Sequence, residues 1–244
     1  MCFVCRCSWL EWFSESVNFR FQFLNFKVYN MAEFITSNNL NAELENILEK
    51  ATKQLVIISP FIKLHSRYKS ALKTALEYPK LEINVVFGKN ENKITSSLSQ
   101  EDFEFFREFP NIHIYYEPNL HAKFYANEDT ALLSSMNLYD YSQNNNIEFG
   151  VLMHSNLFDT LKGNSLDKQA TDYFYQIMSN SKLMFSRVPN YEKKLLKDKY
   201  IDSEIEVDLL SQEFGIKTQP RKEINVPEPE EEFEPGYCIR TGQK

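Results

Sequence analysis

The 244-residue sequence has little glycine, few cysteines and no long apolar run. Six glycines and nine prolines exclude a collagen-like or glycine-rich repeat protein. No apolar stretch approaches the roughly 20 residues that a membrane-spanning helix needs, so no membrane partner is expected. Apolar residues nevertheless make up 43% of the chain and aromatic residues 14%. This content excludes a disordered chain and is enough for a sizeable core.

The net charge of −7 is concentrated near the C-terminus. Residues 223–235 contain six glutamates and no lysine or arginine, and without these glutamates the net charge is −1. The overall acidity therefore does not exclude a protein that handles phosphates. Prolines are spaced among the glutamates, so residues 220–244 are predicted to form an acidic linker and a vestigial ribbon-like end. Cys238 alone cannot hold zinc there.

Residues 1–30 differ from the rest, because three of the four cysteines lie in the first seven positions. Charged residues interrupt the apolar ones, which argues against a secretory signal. The Cys-x-x-Cys-x-Cys run has no second half with metal-ligand spacing. We interpret residues 1–30 as an N-terminal extension, which a mispredicted start codon before Met31 would explain. The single cysteine after Met31 predicts a cytoplasmic protein.

Residues 31–190 alternate between helical and strand patterns. Helices are predicted over residues 40–52, 68–76, 99–109, 168–179 and 191–213, and strands over 55–58, 83–87, 112–116, 121–125, 131–134 and 147–153. The last helix would belong to a helical extension, residues 191–219. Helices between buried strands predict parallel pairing, and their absence after Pro118 predicts that the sheet becomes mixed. The fold class expected is α/β.

The chemically informative residues lie between positions 121 and 148. His121 and Lys123 are two apart on a predicted strand, so their side chains share a face about 7 Å apart and could grip one phosphate. Ser135 and Asn137 follow the next strand with the same spacing and could add neutral donors. Glu148, early on a third strand, could fix the tautomer of an imidazole. This set is sufficient for attack on phosphorus.

The order of these residues resembles the phospholipase D superfamily, whose hallmark is His-x-Lys-x4-Asp followed by Gly-Ser-x-Asn. The match covers residues 119–149 closely. Glu128 stands at the position of the aspartate and Ser134 at that of the glycine, and neither change removes a reacting group. The resemblance implies a phospholipase D-like mixed β-sheet, flanked by helices on both faces, as a catalytic domain over residues 31–190.

The resemblance also implies a role for each residue. His121 would attack phosphorus to form a phosphohistidine, and a second histidine would protonate the leaving oxygen. Lys123 and Asn137, helped by Ser135, would hold the non-bridging oxygens, and Glu148 would orient a histidine. No metal or cofactor is expected, because cationic side chains would stabilise the charge.

The family uses two such motifs for each active site, and this chain has one. His65, His113 and His154 lack the positioned partners of a catalytic base and are expected to be structural or surface residues. The second His121 would then come from another chain, which predicts a homodimer with a shared site.

The expected function is that of a metal-independent phosphodiesterase, with a nuclease acting on DNA or RNA in first place, because single-motif soluble members are often nucleases. Six cationic residues are candidates for phosphate contacts, although a solvated charged surface explains most of them: Lys63, Arg67, Lys69, Lys73, Lys89 and Lys93. The alternatives are a phospholipid headgroup hydrolase or transferase, and a non-catalytic nucleic-acid-binding module of a defence or repair system.

Overall fold

The computed structural model describes residues 32–89, 94–139, 147–154, 165–194 and 198–216. Its strands are β1 (Ala32–Thr36), β2 (Gln54–Ile58), β3 (Ile62–Lys63), β4 (Glu82–Gly88), β5 (Ile112–Glu117), β6 (Phe124–Asn127), β7 (Thr130–Ser134), β8 (Leu138–Tyr139), β9 (Phe149–His154), β10 (Lys182–Glu192) and β11 (Lys199–Asp208). Its α-helices are α1 (Ser37–Lys50), α2 (Ser66–Lys73), α3 (Gln100–Phe106), α4 (Leu166–Asn180) and α5 (Leu210–Glu213). Residues 1–30, interpreted as an N-terminal extension, and residues 220–244, predicted to form an acidic linker and ribbon-like end, lie outside the described residues.

Nine strands from these ranges form one sheet in the order β1-β9-β7-β6-β2-β4-β5-β10-β11, and β3 pairs separately with β8. The central strands β2, β4 and β5 are parallel. The strands β6, β7, β9 and β1 on one side, and β10 and β11 on the other, pair antiparallel with their neighbours. The sheet is therefore mixed, and the predicted change from parallel to antiparallel pairing after Pro118 is confirmed.

Apolar layers cover both faces of this sheet. Leu55 and Ile57 of β2 belong to the layer that contains α1, α2 and α3, whereas Val56 and Ile58 belong to the layer that contains α4. Successive residues of a strand point to opposite faces, so this continuous apolar run is buried on both sides. The α/β class with helices on both faces is confirmed.

The predicted helices before residue 180 are confirmed with small shifts at their ends. The pattern over 40–52 lies in α1, and the pattern over 168–179 lies in α4. The capping interaction expected at Ser99 is present: its hydroxyl accepts the amide of Asp102 at 3.1 Å and donates to the Asp102 carboxylate at 2.6 Å. This interaction fixes the start of α3.

The predicted helix over 191–213, and with it the helical extension over 191–219, is wrong. These residues belong mainly to the hairpin of β10 and β11, and only α5 is helical. Apolar or small residues alternate with acidic ones from Ile201 to Val207, and this period of two favours a strand. β10 also runs across residue 190 without a break, and its Phe185 packs edge-on against Phe103 of α3 with ring centroids 5.3 Å apart. The hairpin therefore extends the main sheet.

Gly88 ends β4 at a point where the backbone of β5 comes very close. A Cβ atom built at Gly88 would lie 1.7 Å from the carbonyl oxygen of Glu117 and 3.3 Å from Cβ of Leu120. Because the carbonyl belongs to the backbone of a buried strand, it cannot move aside without shifting β5. Gly88 thus sets the position of Lys89 after β4 and of the segment after Glu117.

We predict that Gly88→Ala lowers the free energy of unfolding by about 2–3 kcal/mol, because the added methyl group overpacks two paired strands. Urea denaturation measures this loss. Gly215→Ala is the control: its added Cβ meets no atom within 4 Å, so only the positive φ should cost stability, about 1 kcal/mol. Equal losses in the two variants would contradict the close approach at Gly88.

Candidate active site

The residues predicted to carry the chemistry gather at one edge of the sheet. The parallel strands β2, β4 and β5 end at this edge, the antiparallel strands β6 and β9 begin there, and β7 ends there. The carboxyl ends of parallel strands are the usual place for sites in α/β sheets. His121, Lys123, Ser135, Asn137 and Glu148 all lie in segments that flank these strand ends.

His121 and Lys123 lie just before β6, which begins at Phe124. The prediction of a strand from His121 onward is therefore wrong for its first three residues. Lys123 is already held next to β7, because its carbonyl accepts the amide of Ser134 at 3.1 Å. Lys123 is half-buried and His121 is exposed.

Ser135 joins the end of β7 to the start of β9. Its amide donates to the carbonyl of Phe149 at 3.0 Å, and its hydroxyl accepts the amide of Phe149 at 3.0 Å. The same hydroxyl donates a short hydrogen bond to the carboxylate of Glu148. The Ser135 proton is thus directed at Glu148, and a contact between Ser135 and a substrate oxygen stays a prediction.

Asn137 lies between two anchored residues. The carbonyl of Met136 accepts the hydroxyl of Tyr125 at 2.8 Å, and the amide of Leu138 donates to the hydroxyl of Ser59 at 3.0 Å. The side-chain oxygen Oδ1 of Asn137 is buried without a hydrogen-bond partner in the part of the chain that the structure describes. An unpaired buried acceptor costs free energy, so Oδ1 is suited to accept a hydrogen bond. A hydrogen bond to a phosphate oxygen would instead come from the NH2 group of the same amide.

His121, Lys123 and Lys89 lie close enough at this edge for the charges of the two lysines to act on His121. The pKa of His121 is lowered, mainly by the charge of Lys123 and next by that of Lys89. The pKa of Lys123 is lowered mainly by burial and next by Lys89, while the nearby carboxylate of Glu148 raises it. The lowered pKa favours the neutral imidazole, whose free lone pair makes it a nucleophile. An anion bound here would relieve the repulsion among these charges.

Glu128 lies at the other end of β6, away from His121. Its carboxylate accepts the amide of Thr52 at 3.0 Å and also the Thr52 hydroxyl. Burial raises the pKa of Glu128, but the hydrogen bonds from Thr52 and neighbouring amides outweigh burial and lower it overall. Thr52 precedes β2, so Glu128 ties the end of β6 to the start of β2.

The other three histidines have partners in the fold. Nδ1 of His65 accepts the amide of Arg67 at 3.2 Å and caps α2. Nδ1 of His113 lies 3.1 Å from the hydroxyl of Ser186, and Nδ1 of His154 lies 3.5 Å from that of Thr130. These contacts agree with the expected structural role, and none of these residues lies on a strand end beside His121.

The cationic candidates divide into two groups. Arg67 forms an ion pair with Glu45 at 3.2 Å, and Lys69 forms ion pairs with Glu101 at 2.6 Å and Asp102 at 3.0 Å. Arg67 and Lys69 are thus engaged with carboxylates of the fold, and the pair of Lys69 with Asp102 is largely buried. The charge of Lys89 instead lowers the pKa of both His121 and Lys123. The sequence alone could not distinguish Lys89 from the other five cationic candidates. Lys93 lies outside the described residues.

Within the described ranges, no group of three or more His, Cys, Asp or Glu side chains is placed to hold a metal ion. Among the helices of the same ranges, none is both long and apolar enough to cross a membrane.

The fold and this edge define an α/β protein with cationic side chains gathered where its parallel strands end. The family model described as "Cardiolipin synthase, PLD-like domain" matches residues 44–178, more than half of the sequence. The chain therefore belongs to the family of phospholipase D-like domains, and this membership supports a function on phosphodiesters. A search of curated proteins found no significant match.

Three solved structures are similar to this chain at low identity. Nuc, a phospholipase D family member from Salmonella typhimurium, is 13% identical over 62% of this chain and 96% of its own, with a TM-score of 0.46. NucT from Helicobacter pylori is 14% identical over 62% of this chain and 97% of its own, also with a TM-score of 0.46. Phosphatidylserine synthase from Haemophilus influenzae Rd KW20 is 19% identical over 64% of this chain and 41% of its own, with a TM-score of 0.49.

We predict that Lys89→Ala raises the pKa of His121, because it removes a positive charge that opposes protonation of the imidazole. The Cε1 proton of His121, assigned by comparison with His121→Ala, reports this pKa in an NMR pH titration. Lys89→Arg is the matched control and should keep the pKa low. An unchanged or lower pKa in Lys89→Ala would show that Lys89 does not act on His121.

Proposed function

We propose that the protein is a metal-independent nuclease that cleaves phosphodiesters through a phosphohistidine, in an active site shared by two subunits. The observation that carries the proposal is the convergence of His121, Lys123, Asn137 and Glu148 at one edge of the sheet. The same edge holds Lys89, so a polyanionic backbone would meet two positive charges close to His121.

In the first step, a ring nitrogen of neutral His121 attacks phosphorus and a phosphorus–nitrogen bond forms. The bond from phosphorus to the leaving oxygen breaks, and the protonated His121 of the partner subunit donates its proton to that oxygen. Lys123 and the side-chain amide of Asn137 bind the non-bridging oxygens as their charge grows. Water then attacks phosphorus, the partner subunit's His121 takes its proton, and the phosphorus–nitrogen bond breaks.

Glu148 supports this chemistry as a positioning residue. Its carboxylate is fixed by the Ser135 hydroxyl and lies close enough to Lys123 to raise the pKa of that lysine. A carboxylate held at this place can accept an imidazole N–H and set its tautomer. In a site formed by two subunits, the Glu148 carboxylate would orient a catalytic histidine of the pair.

A surface beside the site supports the pairing of two subunits. Phe34 on the edge strand β1 is 67% exposed and stacks on Phe149 with ring centroids 5.5 Å apart. Ile147 and Phe149 flank Glu148 on both sides, and both are exposed. Phe34, Ile147 and Phe149 form an exposed apolar patch of the kind that marks protein–protein contacts. A second copy of the chain bound to this patch would bring a second His121 toward the first.

A phospholipid headgroup hydrolase or transferase is the second candidate. The matched family model carries the name of cardiolipin synthase, which favours testing lipids alongside nucleic acids. The attack on phosphorus would be the same for either substrate.

We predict that wild-type protein cleaves DNA or RNA in the presence of a metal chelator and that His121→Ala abolishes this cleavage, because the attacking nitrogen is lost. Single- and double-stranded DNA, RNA and phosphatidylglycerol vesicles are compared, and the phosphorylated intermediate is trapped with acid. His154→Ala is the matched control and should stay active. Loss of activity with chelator alone would contradict the metal-free mechanism, and cleavage of vesicles alone would favour the lipid candidate.

We predict that Phe34→Asp dissociates the dimer, because it places a carboxylate in the apolar patch, and that activity falls in parallel. Light scattering measures the mass, and activity is followed against protein concentration. Ile201→Asp on β11, where Ile201 is 52% exposed, is the control on the opposite edge and should change neither.

Mixing separates a shared site from simple dimerisation. With equal amounts of wild type and His121→Ala after exchange, about a quarter of the dimers retain two copies of His121, and activity per wild-type chain should halve. A wild-type monomer that is fully active at nanomolar concentration would contradict the shared site.

A further inference from the structure

A groove of about 450 Å³ opens beside His121. One wall is the segment from Glu117 to Ala122, and the other is the stripe of Tyr173, Ile177 and Asn180 on α4. These three positions are four and three residues apart, so they share one face of the helix. The volume falls within the roughly 300–1,000 Å³ typical of small-ligand sites.

Both walls are held in place by the fold. In the first wall, the amide of Asn119 donates to the Glu117 carboxylate at 3.0 Å, and the amide of buried Leu120 donates to the Glu117 carbonyl at 3.1 Å. In the second wall, buried Phe174 stacks on Phe124 of β6 with ring centroids 4.4 Å apart and planes 13° apart. The groove is therefore preformed, and its distance from His121 is fixed through β6.

The lining suits a flat, neutral, polar-edged group. Tyr173 lines the groove and is 58% exposed, so much of its side chain is accessible to a ligand, and its ring packs in a T-shaped geometry against Phe174 with centroids 5.3 Å apart. Leu120, Ala122 and Ile177 supply apolar surface, and Asn119 and Asn180 each offer an amide donor and acceptor. Among the described residues, the acidic side chain of Glu117 lines the groove and no lysine or arginine does. The phosphate would therefore lie outside the groove, beside Lys123 and Lys89.

We propose that this groove holds the nucleobase adjacent to the scissile phosphate of a single-stranded nucleic acid, with Tyr173 as the stacking platform. The proposal rests on the proposed nuclease function and names its substrate class. A base can lie on Tyr173 only when it is unstacked from its neighbours, as in single strands. Asn119 and Asn180 line the same groove, and their side-chain amides would supply hydrogen bonds to the edge of the base.

The test compares an oligothymidylate with an abasic phosphodiester chain of the same length, using wild type, Tyr173→Ala and Tyr173→Phe. Loss of a stacking platform typically weakens binding about tenfold, so Tyr173→Ala should raise KM about tenfold on the oligothymidylate with little change in kcat. It should leave the abasic chain unaffected, and Tyr173→Phe should behave as wild type. Fluorescence anisotropy with inactive His121→Ala, alone and combined with Tyr173→Ala, should show the same loss of affinity.

Tyr78→Ala is the matched control, because Tyr78 is 42% exposed and lies outside the groove. Equal effects of Tyr173→Ala on both chains, or no effect on either, would overturn the inference while leaving the nuclease function intact. A wild-type protein that cleaves neither chain contradicts the nuclease function itself. If Tyr173→Ala impairs only the cleavage of phosphatidylethanolamine vesicles, the groove takes a lipid headgroup and the inference is wrong.

Discussion

The hydrogen bonds between the end of β7 and the start of β9 determine where most of the site residues lie. Ser134 and Ser135 both bind Phe149, through their hydroxyls and through the amide of Ser135. One hydroxyl fixes Glu148, the amide of Ser134 fixes Lys123, and the chain that leaves this junction carries Asn137. Small hydroxyl side chains are needed here because they bond the backbone at close range. A change at this junction would displace several candidate site residues together.

The charge balance of the site follows from the same arrangement. Lys123 is partly desolvated, and Lys89 adds a second positive charge after the strand that Gly88 ends. The carboxylate of Glu148 opposes the charge of Lys123, and it is already engaged by Ser135. Under the proposed function, these cations are held close together before a phosphate binds, so the protein would need little reorganisation during the reaction.

Local patterns predicted most of the fold, and contacts between distant residues account for the rest. The capping pair Ser99 and Asp102 and the apolar run of β2 are determined by their own sequence, so both were predictable. The hairpin of β10 and β11 was not predicted, because its strand pairing depends on β5, some 70 residues earlier in the chain. The motif residues lie in segments at one edge of the sheet, whereas the place of Lys89 near His121 and of Tyr173 in the groove depends on the sheet order and on the docking of α4.

Glu128 shows what the spacing within the motif measures. His121 and Glu128 lie at opposite ends of β6, and Glu128 binds the residue that precedes β2. At about 3.3 Å per residue, the seven residue steps from His121 to Glu128 span at most about 23 Å along β6 and the segments at its two ends. The acid of the motif therefore anchors the C-terminal end of β6 to the residue before β2. Because β6 is anchored there, His121 lies at the opposite edge of the sheet. Glutamate is one methylene longer than aspartate, and Glu128 still forms the hydrogen bonds to Thr52 that anchor β6.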